Sequence, residues 1–177
     1  MKPFLSDIQK IRDRARHAIS EGAVTSGLKT DQEQVIKVLN EVLATEIVCT
    51  LRYKHHYYMA KGIHAESVRE EFLEHAQEEQ EHADWVAERI TQLNGKPDFN
   101  PVVLAERSHS EYVEGGDLIS MIEEDLVAER IAIESYREIV LYLGDKDPTT
   151  RRIMEEILAV EEEHADDLVS LLGGLRD

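Results

Sequence analysis

The sequence predicts an all-α protein in which four long helices, here called A to D, form a bundle that follows a short N-terminal helical arm. Three observations favour this fold class. Apolar residues recur with the helical period over most of the chain, capping residues and Gly or Pro punctuate the periodic stretches, and no stretch alternates as a strand would. The 177 residues, 42% of them hydrophobic, can bury one continuous core. We therefore predict an arm over residues 1–29 and one bundle domain over residues 30–177.

The arm and helix A open with the same capping signal. Ser6 and Thr30 are each followed three residues later by Gln or Glu, which is the spacing of a capping box. The helix of the arm is predicted to end at Gly22, and helix A at Gly62. The apolar stripe of helix A consists of Val35, Leu39, Val42, Tyr53, Tyr57 and Ala60.

Helices B, C and D have equally clear limits. B is predicted over 65–94, C over 117–144 and D over 147–174, each with apolar residues at helical spacing. Asn-Gly ends helix B, and glycine ends helices C and D. Helix D begins with Asp147 as N-cap and Pro148 at the first helical position.

The segment between helices B and C is long and lacks helical periodicity. Fully extended, residues 95–116 would reach about 70 Å, whereas each main helix is about 40 Å long. This segment can therefore cross the whole bundle, and we expect helices B and C to run parallel.

Six ionisable side chains interrupt the apolar stripes. They are Glu46 on helix A, Glu79 and His82 on B, Glu129 on C, and Glu161 and His164 on D. Isolated charges are very costly in a core unless they are paired or bind a metal. Four carboxylates and two neutral imidazoles together carry a charge of about -4, which two divalent cations cancel. Glu and His at i, i+3 lie on the same helix face, so both can reach the same ion or two adjacent ions. Mixed oxygen and nitrogen ligands at this count suit iron or manganese better than a closed structural zinc. We expect two iron ions per subunit, with manganese or zinc as possible substitutes.

An internal duplication strengthens this prediction, since a single Glu-x-x-His would mean little in so acidic a chain. Residues 79–84, EQEHAD, recur 82 positions later as 161–166, EEEHAD. Glu46 and Glu129 are 83 positions apart, and each is followed seven residues later by a tyrosine. The A–B and C–D hairpins are therefore interpreted as two halves of one pseudo-symmetric site.

Other polar residues near these motifs have weaker assignments. Tyr53 could donate electrons to the site or be a core aromatic, and we expect Tyr136 to be a core aromatic. Asp125 could accept a hydrogen bond from a ligand histidine or be exposed, and Cys49 is expected to be buried. The remaining histidines of the bundle support no second cluster: His55, His56, His64, His75 and His109.

The net charge of -17 argues against general affinity for nucleic acid or anionic membranes. Residues 1–29 carry +3 and residues 30–177 carry -20. The basis for DNA binding is the set of basic residues in the arm, Lys10, Arg12, Arg14 and Arg16, and we expect such binding to be weak. With Cys49 as the single cysteine, no signal peptide and no apolar stretch of membrane-spanning length, we expect a soluble cytoplasmic protein.

The motifs resemble those of the bacterioferritins over nearly all of residues 31–172. The resemblance is carried by LNEVLATE at 39–46, ExxHAD at 79–84, DLVAE at 125–129 and ExxH at 161–164. It implies a ferritin-like four-helix bundle with a di-iron site within each subunit. Glu79 and Glu161 would bridge the irons, Glu46 and Glu129 would be terminal ligands, and His82 and His164 would bind one iron each. Tyr53 matches a tyrosine near the family's site.

Two departures from that family matter. Bacterioferritins bind haem through a methionine, and Gln80 stands where we would expect it, so no haem is predicted. The chain also stops shortly after helix D, without the fifth helix of the larger ferritins. This end and the N-terminal arm are similar to the Dps-like miniferritins, although the cysteine pair of those proteins is missing. We therefore expect a homo-oligomer, a dodecamer before a 24-mer.

The resemblance implies a ferroxidase that oxidises Fe²⁺ with O₂ or H₂O₂ and stores Fe³⁺ in a hollow homo-oligomer, protecting against oxidative stress. A rubrerythrin-type di-iron peroxidase is one alternative, and the lack of a four-cysteine electron-transfer module counts against it. A di-iron oxidase of an organic substrate is another alternative. A DNA-binding protective assembly of the Dps type is the third, and the acidic body disfavours it.

Overall fold

The structure, a computed structural model, describes residues 7–63 and 65–176. Across these residues the chain forms six α-helices: α1 (Ile8–His17), α2 (Gln32–Met59), α3 (Ala65–Gln92), α4 (Leu104–Arg107), α5 (Leu118–Leu143) and α6 (Pro148–Arg176). The predicted helices A to D are α2, α3, α5 and α6, and no strand occurs in the described chain, so the all-α prediction is confirmed. None of the described helices is both long and apolar enough to cross a membrane.

The first two helices begin close to the predicted positions. Ser6 lies outside the described residues, and α1 is capped by Asp7, which accepts a hydrogen bond from the backbone N–H of Gln9. This helix ends at His17, earlier than predicted, and a short 3₁₀ turn leads to Gly22. Helix α2 is capped by Asp31 rather than Thr30, because the Asp31 carboxylate accepts a hydrogen bond from the backbone N–H of Gln34 in the first turn of the helix.

Helix α3 ends with a well-formed cap, and helix α5 begins with one. Asn94 has a positive φ of 58°, and the N–H of Gly95 bonds to the carbonyl of Ile90 at 2.9 Å, which is a Schellman motif. Helix α3 therefore ends at Gln92, two residues before the prediction. Helix α5 begins with a capping box in which Asp117 and Ser120 exchange hydrogen bonds.

The predicted end of helix D at Gly173-Gly174 is wrong. Helix α6 continues through both glycines to Arg176, and neither glycine adopts a positive φ. Leu172 and Leu175 on either side of them pack into an apolar cluster with Phe72. This packing holds the last turn helical although each glycine costs about 1 kcal/mol relative to alanine.

Among the described residues, two large apolar clusters fill the bundle, and a third, small one joins α2 to Leu104 of α4. The first joins the N-terminal parts of α2 and α6 to the C-terminal parts of α3 and α5, and the second joins the opposite ends. Since α3 and α5 contribute their C-terminal halves to the same cluster, they run parallel, as the length of the crossover predicts. The six ionisable residues lie at the level between the two clusters.

The crossover between α3 and α5 is more ordered than its sequence predicts. It contains a 3₁₀ turn, Pro101–Val103, and the one-turn helix α4. Arg52 on α2 donates a hydrogen bond to the carbonyl of Glu111 at 2.9 Å, and a ring nitrogen of His56 lies 3.2 Å from the carbonyl of Val113. Both side chains also contact the buried carboxylate of Asp125 at 2.8 Å, so the crossover is tied to the interior of the bundle.

Candidate metal centre

The structure brings the six ionisable residues of the apolar stripes into one buried cluster. Each of them is 2% exposed or less. Their ligand atoms form two overlapping groups, in each of which the atoms lie within 4.8 Å of one another. The first group consists of Glu46, Glu79, His82 and Glu161, and the second of Glu79, Glu129, Glu161 and His164. Glu79 and Glu161 belong to both groups, so two ions held here would share these two carboxylates.

The two histidines face the cluster with the same ring atom. Nδ1 of His82 lies 3.1 Å from Oε1 of Glu161 and 3.5 Å from Oε2 of Glu46. Nδ1 of His164 lies 3.5 Å from Oε2 of Glu161 and 4.0 Å from Oε2 of Glu129. The two oxygens of Glu161 therefore point to different histidines, as a carboxylate that bridges two ions would.

The inner atoms of this cluster have no hydrogen-bond partner among the described residues. They are Glu46 Oε2, Glu79 Oε1, His82 Nδ1, Glu129 Oε2, Glu161 Oε1 and Oε2, and His164 Nδ1. A buried polar atom without a partner is costly, and one carboxylate contributes two of them. Because all of these atoms can donate a lone pair to a cation, the residues fit two metal ions at this position.

Two tyrosines donate hydrogen bonds to the outer oxygens of Glu46 and Glu129. The hydroxyl of Tyr53 donates a hydrogen bond to Oε1 of Glu129, and that of Tyr136 donates one to Oε1 of Glu46. Each tyrosine therefore reaches the glutamate of the other hairpin. The second oxygen of each glutamate is left to face the centre.

The groups behind the two histidines are not symmetric. Nε2 of His164 lies 2.8 Å from Oε2 of Glu78, a contact that fixes the ring orientation. The equivalent of Glu78 in the other half, 82 positions later, is Val160. His75 stacks on His164 with the ring centroids 3.9 Å apart, and its Nδ1 lies 3.3 Å from the Tyr53 oxygen.

Neither of the two alternatives for Asp125, a hydrogen bond from a histidine of the cluster or exposure to solvent, is correct. Asp125 is fully buried, and it pairs with Arg52 and His56 instead. The carboxylate that contacts a histidine of the cluster from outside is Glu78. Cys49 is buried as predicted, and burial raises the pKa of its thiol, so it is not a reactive thiolate.

The buried carboxylates and imidazoles shift one another's pKa values. Burial raises the pKa of Glu79 and Glu129 well above the ordinary range, and neighbouring carboxylates raise it further. Burial lowers the pKa of His164, but the neighbouring carboxylates of Glu161, Glu79 and Glu78 outweigh it and raise that pKa to about 9. Because metal ligands must be deprotonated, a divalent cation that binds here would displace any protons that these groups hold.

Several residues around the centre escape detection in the sequence. His75 lies four residues before Glu79 on the same stripe, and this spacing is the one signal that could have identified it. Glu78, Arg52 and His56 carry no motif, since their partners lie on other helices.

Known proteins are similar to this chain over most of its length. The family model of the ferritin-like domain matches residues 36–177. A nutrient stress-induced DNA-binding protein from Synechococcus is 32% identical over 145 residues, which cover 78% of this chain and 81% of that protein. A bacterioferritin from Mycobacterium avium is 28% identical over 140 residues, covering 78% of this chain and 84% of that protein.

A solved structure is also similar over most of its length. It is that of a bacterioferritin-related protein from Bacteroides fragilis, described as a dodecameric thioferritin. The two chains superpose with a TM-score of 0.81 at 35% identity, covering 84% of this chain and 89% of that one. The fold, the match to the family model and these relatives together show that the chain belongs to the ferritin-like family.

Proposed function

We propose that the protein is a ferroxidase that binds two Fe²⁺ ions per chain, oxidises them with O₂ or H₂O₂ and stores Fe³⁺ in a hollow homo-oligomer. The observation that carries the proposal is the pair of four-residue groups that share Glu79 and Glu161. In this assignment Glu46 and His82 complete one position, and Glu129 and His164 complete the other.

The residues of the centre favour oxidation of what they bind. Four carboxylates stabilise Fe³⁺ more than Fe²⁺, which lowers the reduction potential of the bound pair. Two Fe²⁺ supply two electrons, which with two protons reduce H₂O₂ to two water molecules or O₂ to H₂O₂. The apolar clusters on both sides exclude bulk water from the carboxylates. Tyr53 contacts both Glu129 and His75, and we assign its hydroxyl a role in positioning the Glu129 carboxylate at the centre.

The proposed assembly is a homo-oligomer, a dodecamer before a 24-mer. The related protein of Bacteroides fragilis is described as dodecameric, and it is 35% identical to this chain. The charge of -20 on residues 30–177 would suit a cavity that collects cations. Protection against oxidative stress would follow, because removal of Fe²⁺ together with H₂O₂ removes both reactants of damaging radical chemistry.

Aerobic loading with Fe²⁺ tests the proposal, followed by chromatography with mass and iron measured on the same peak. We expect a large oligomer that retains many more than two irons per chain. Glu79→Gln should abolish rapid oxidation, whereas the matched control Glu81→Gln, which alters an exposed neighbour, should not. A species of one or two chains with two irons per chain would favour a di-iron peroxidase or organic-substrate oxidase instead. Rapid oxidation by Glu79→Gln would contradict the di-iron assignment itself.

A further inference from the structure

A third group of metal-ligating side chains lies next to the two-ion centre, between α3 and α6. It consists of Glu71 and His75 on α3 and Asp167 on α6, and one ligand atom from each lies within 4.8 Å of the other two. His75 is buried, and the side chains of Glu71 and Asp167 are 29% and 47% exposed. The group therefore has one ligand in the protein interior and two at the surface.

The hydrogen bonds of His75 determine which ring atom faces the two acids. The hydroxyl proton of Tyr53 is donated to Glu129, so the Tyr53 oxygen accepts a hydrogen bond from Nδ1–H of His75 at 3.3 Å. A neutral His75 then presents the lone pair of Nε2 to Oε1 of Glu71 at 3.4 Å and to Oδ2 of Asp167 at 3.9 Å. Three electron-rich atoms thus converge, and a cation between them would turn their repulsion into attraction.

The distances suit a divalent transition metal. Such an ion binds imidazole nitrogen and carboxylate oxygen at about 2.0–2.2 Å, so two ligand atoms of one ion lie at most about 4.4 Å apart. The half-exposed carboxylates need only a small adjustment to reach this range. A pocket of about 310 Å³ lies beside them, lined among others by Glu71, Asp167, Val68 and Leu171. It would admit the ion from solvent and leave room for water ligands.

The internal duplication provides a comparison within the same chain. The positions equivalent to Glu71, His75 and Asp167 in the other half, displaced by 82 residues, are Ile153, Ile157 and Trp85. Ile157 is fully buried in the first apolar cluster. The bundle therefore accepts apolar side chains at these positions, and the polar group is not a by-product of the fold.

We propose that Glu71, His75 and Asp167 form a third site for a divalent transition metal, separate from the two-ion centre. The site shares its histidine with the surroundings of that centre. A metal on Nε2 would hold the proton of His75 on Nδ1, and with it the hydrogen bond to Tyr53. Occupation of the third site would thereby help to orient the Tyr53 hydroxyl toward Glu129.

Anaerobic equilibrium dialysis against Co²⁺, with metal counted per chain, tests this proposal. The variant is Glu71→Gln/Asp167→Asn, which leaves His75 and its contact with Tyr53 in place. The control is Glu70→Gln/Asp166→Asn, which removes the same charge from exposed neighbours and so corrects for cations bound non-specifically by an acidic surface.

We expect the variant to bind one Co²⁺ fewer per chain than the control. Equal counts in the two proteins would overturn the third site. The same experiment on a Glu79→Gln/Glu161→Gln background separates this proposal from the proposed function. If the variant still binds one Co²⁺ fewer than the control in this background, the third site is supported independently of the two-ion centre. If variant and control bind equal numbers of ions in both backgrounds, the third site is contradicted and the proposed function is unaffected.

Discussion

The hydroxyl of Tyr53, on α2, donates a hydrogen bond to Oε1 of Glu129, on α5. Tyr136, on α5, makes the same contact with Oε1 of Glu46, on α2. In each contact, a tyrosine of one hairpin orients the glutamate carboxylate of the other hairpin. The tyrosines should therefore tune the two metal positions separately.

We expect Tyr53→Phe to weaken metal binding at the position of Glu129 and His164, and Tyr136→Phe to weaken the position of Glu46 and His82. Loss of a hydrogen bond that orients a ligand costs about 10- to 100-fold in metal affinity. Stepwise Co²⁺ titration of each variant would measure this. Tyr58→Phe is the control, since Tyr58 is 74% exposed on the same helix as Tyr53. Equal loss at both positions in either variant would contradict separate roles.

Replacement of a bridging glutamate should be more damaging than replacement of a terminal one. Glu79→Gln should weaken the binding of both ions, whereas Glu46→Gln should mainly loosen one. In the metal-free protein, Glu79→Gln should instead raise the free energy of unfolding by about 1 kcal/mol, or the melting temperature by about 2–4 °C, because it relieves carboxylate crowding. Metal titration and melting curves would check both effects. A lower melting temperature without metal would indicate a structural role for Glu79.

Asp147 is expected to stabilise the fold rather than the metal centre. It caps α6 through the N–H of Thr150 at 3.0 Å and accepts hydrogen bonds from the buried Arg89 at 3.1 and 3.2 Å. Asp147→Asn keeps the cap but leaves Arg89 without its charged partner, which should cost about 3 kcal/mol. Asp145→Asn is the control, since this neighbouring carboxylate is fully exposed.

The cost of Asp147→Asn should depend on pH. Burial would raise the pKa of Asp147, but hydrogen bonds from Thr150 and the charge of Arg89 outweigh it and lower that pKa. The stabilisation is therefore present above the ordinary carboxyl pKa of about 4 and is lost as the pH falls through the folded-state pKa. Melting temperatures of wild type and Asp147→Asn should converge in acid, and a constant difference from pH 7 to pH 3 would disprove the charge effect.

The purified protein should contain no haem. Gln80 is exposed, and its amide contacts Asp84 at 3.2 Å, so it offers no thioether to a haem iron. We expect no Soret absorption after expression with added haem precursor. Gln80→Met tests whether a thioether alone is sufficient at this position. Stoichiometric haem in the wild type would show that another residue binds it.

DNA binding should be weak at physiological ionic strength. Lys10, Arg12, Arg14 and Arg16 lie exposed on α1, but the rest of the chain carries a large negative charge. If these four residues contact phosphate, a plot of the logarithm of the DNA-binding constant against the logarithm of the salt concentration should have a slope of about -4. Deletion of residues 1–29 should abolish this salt-dependent binding. Gel-shift titrations at several salt concentrations would show this. A shift that survives the deletion would place the DNA contacts elsewhere.

Much of the fold follows from local chemistry and was predictable. Asp117 and Asp147 begin their helices as their types and positions predict, and the parallel course of α3 and α5 follows from the length of the crossover. The six residues of the apolar stripes converge because helical periodicity places them on inward faces. Their assignment as metal ligands stays a prediction.

The features that were missed depend on contacts between distant segments. Helix α6 passes through two glycines because Leu172 and Leu175 pack against α3, which no local signal reveals. Asp125, on α5, pairs with Arg52 and His56, both on α2, and their positions relative to α5 are set by the folded bundle. The proximity of His75 and Asp167 also depends on the folded bundle, because these residues lie 92 positions apart in sequence, on α3 and α6.

The exchange of tyrosines between the hairpins means that neither hairpin contains a finished half of the centre. Each supplies a tyrosine to the other's glutamate and a share of both metal positions. The arrangement is that of a two-fold symmetric dimer interface, with the same kinds of residue on both sides, enclosed within one polypeptide. The crossover acts as a tether that replaces association of two molecules by an intramolecular encounter at high effective concentration. We therefore expect completion of the candidate metal centre within a chain to be independent of protein concentration.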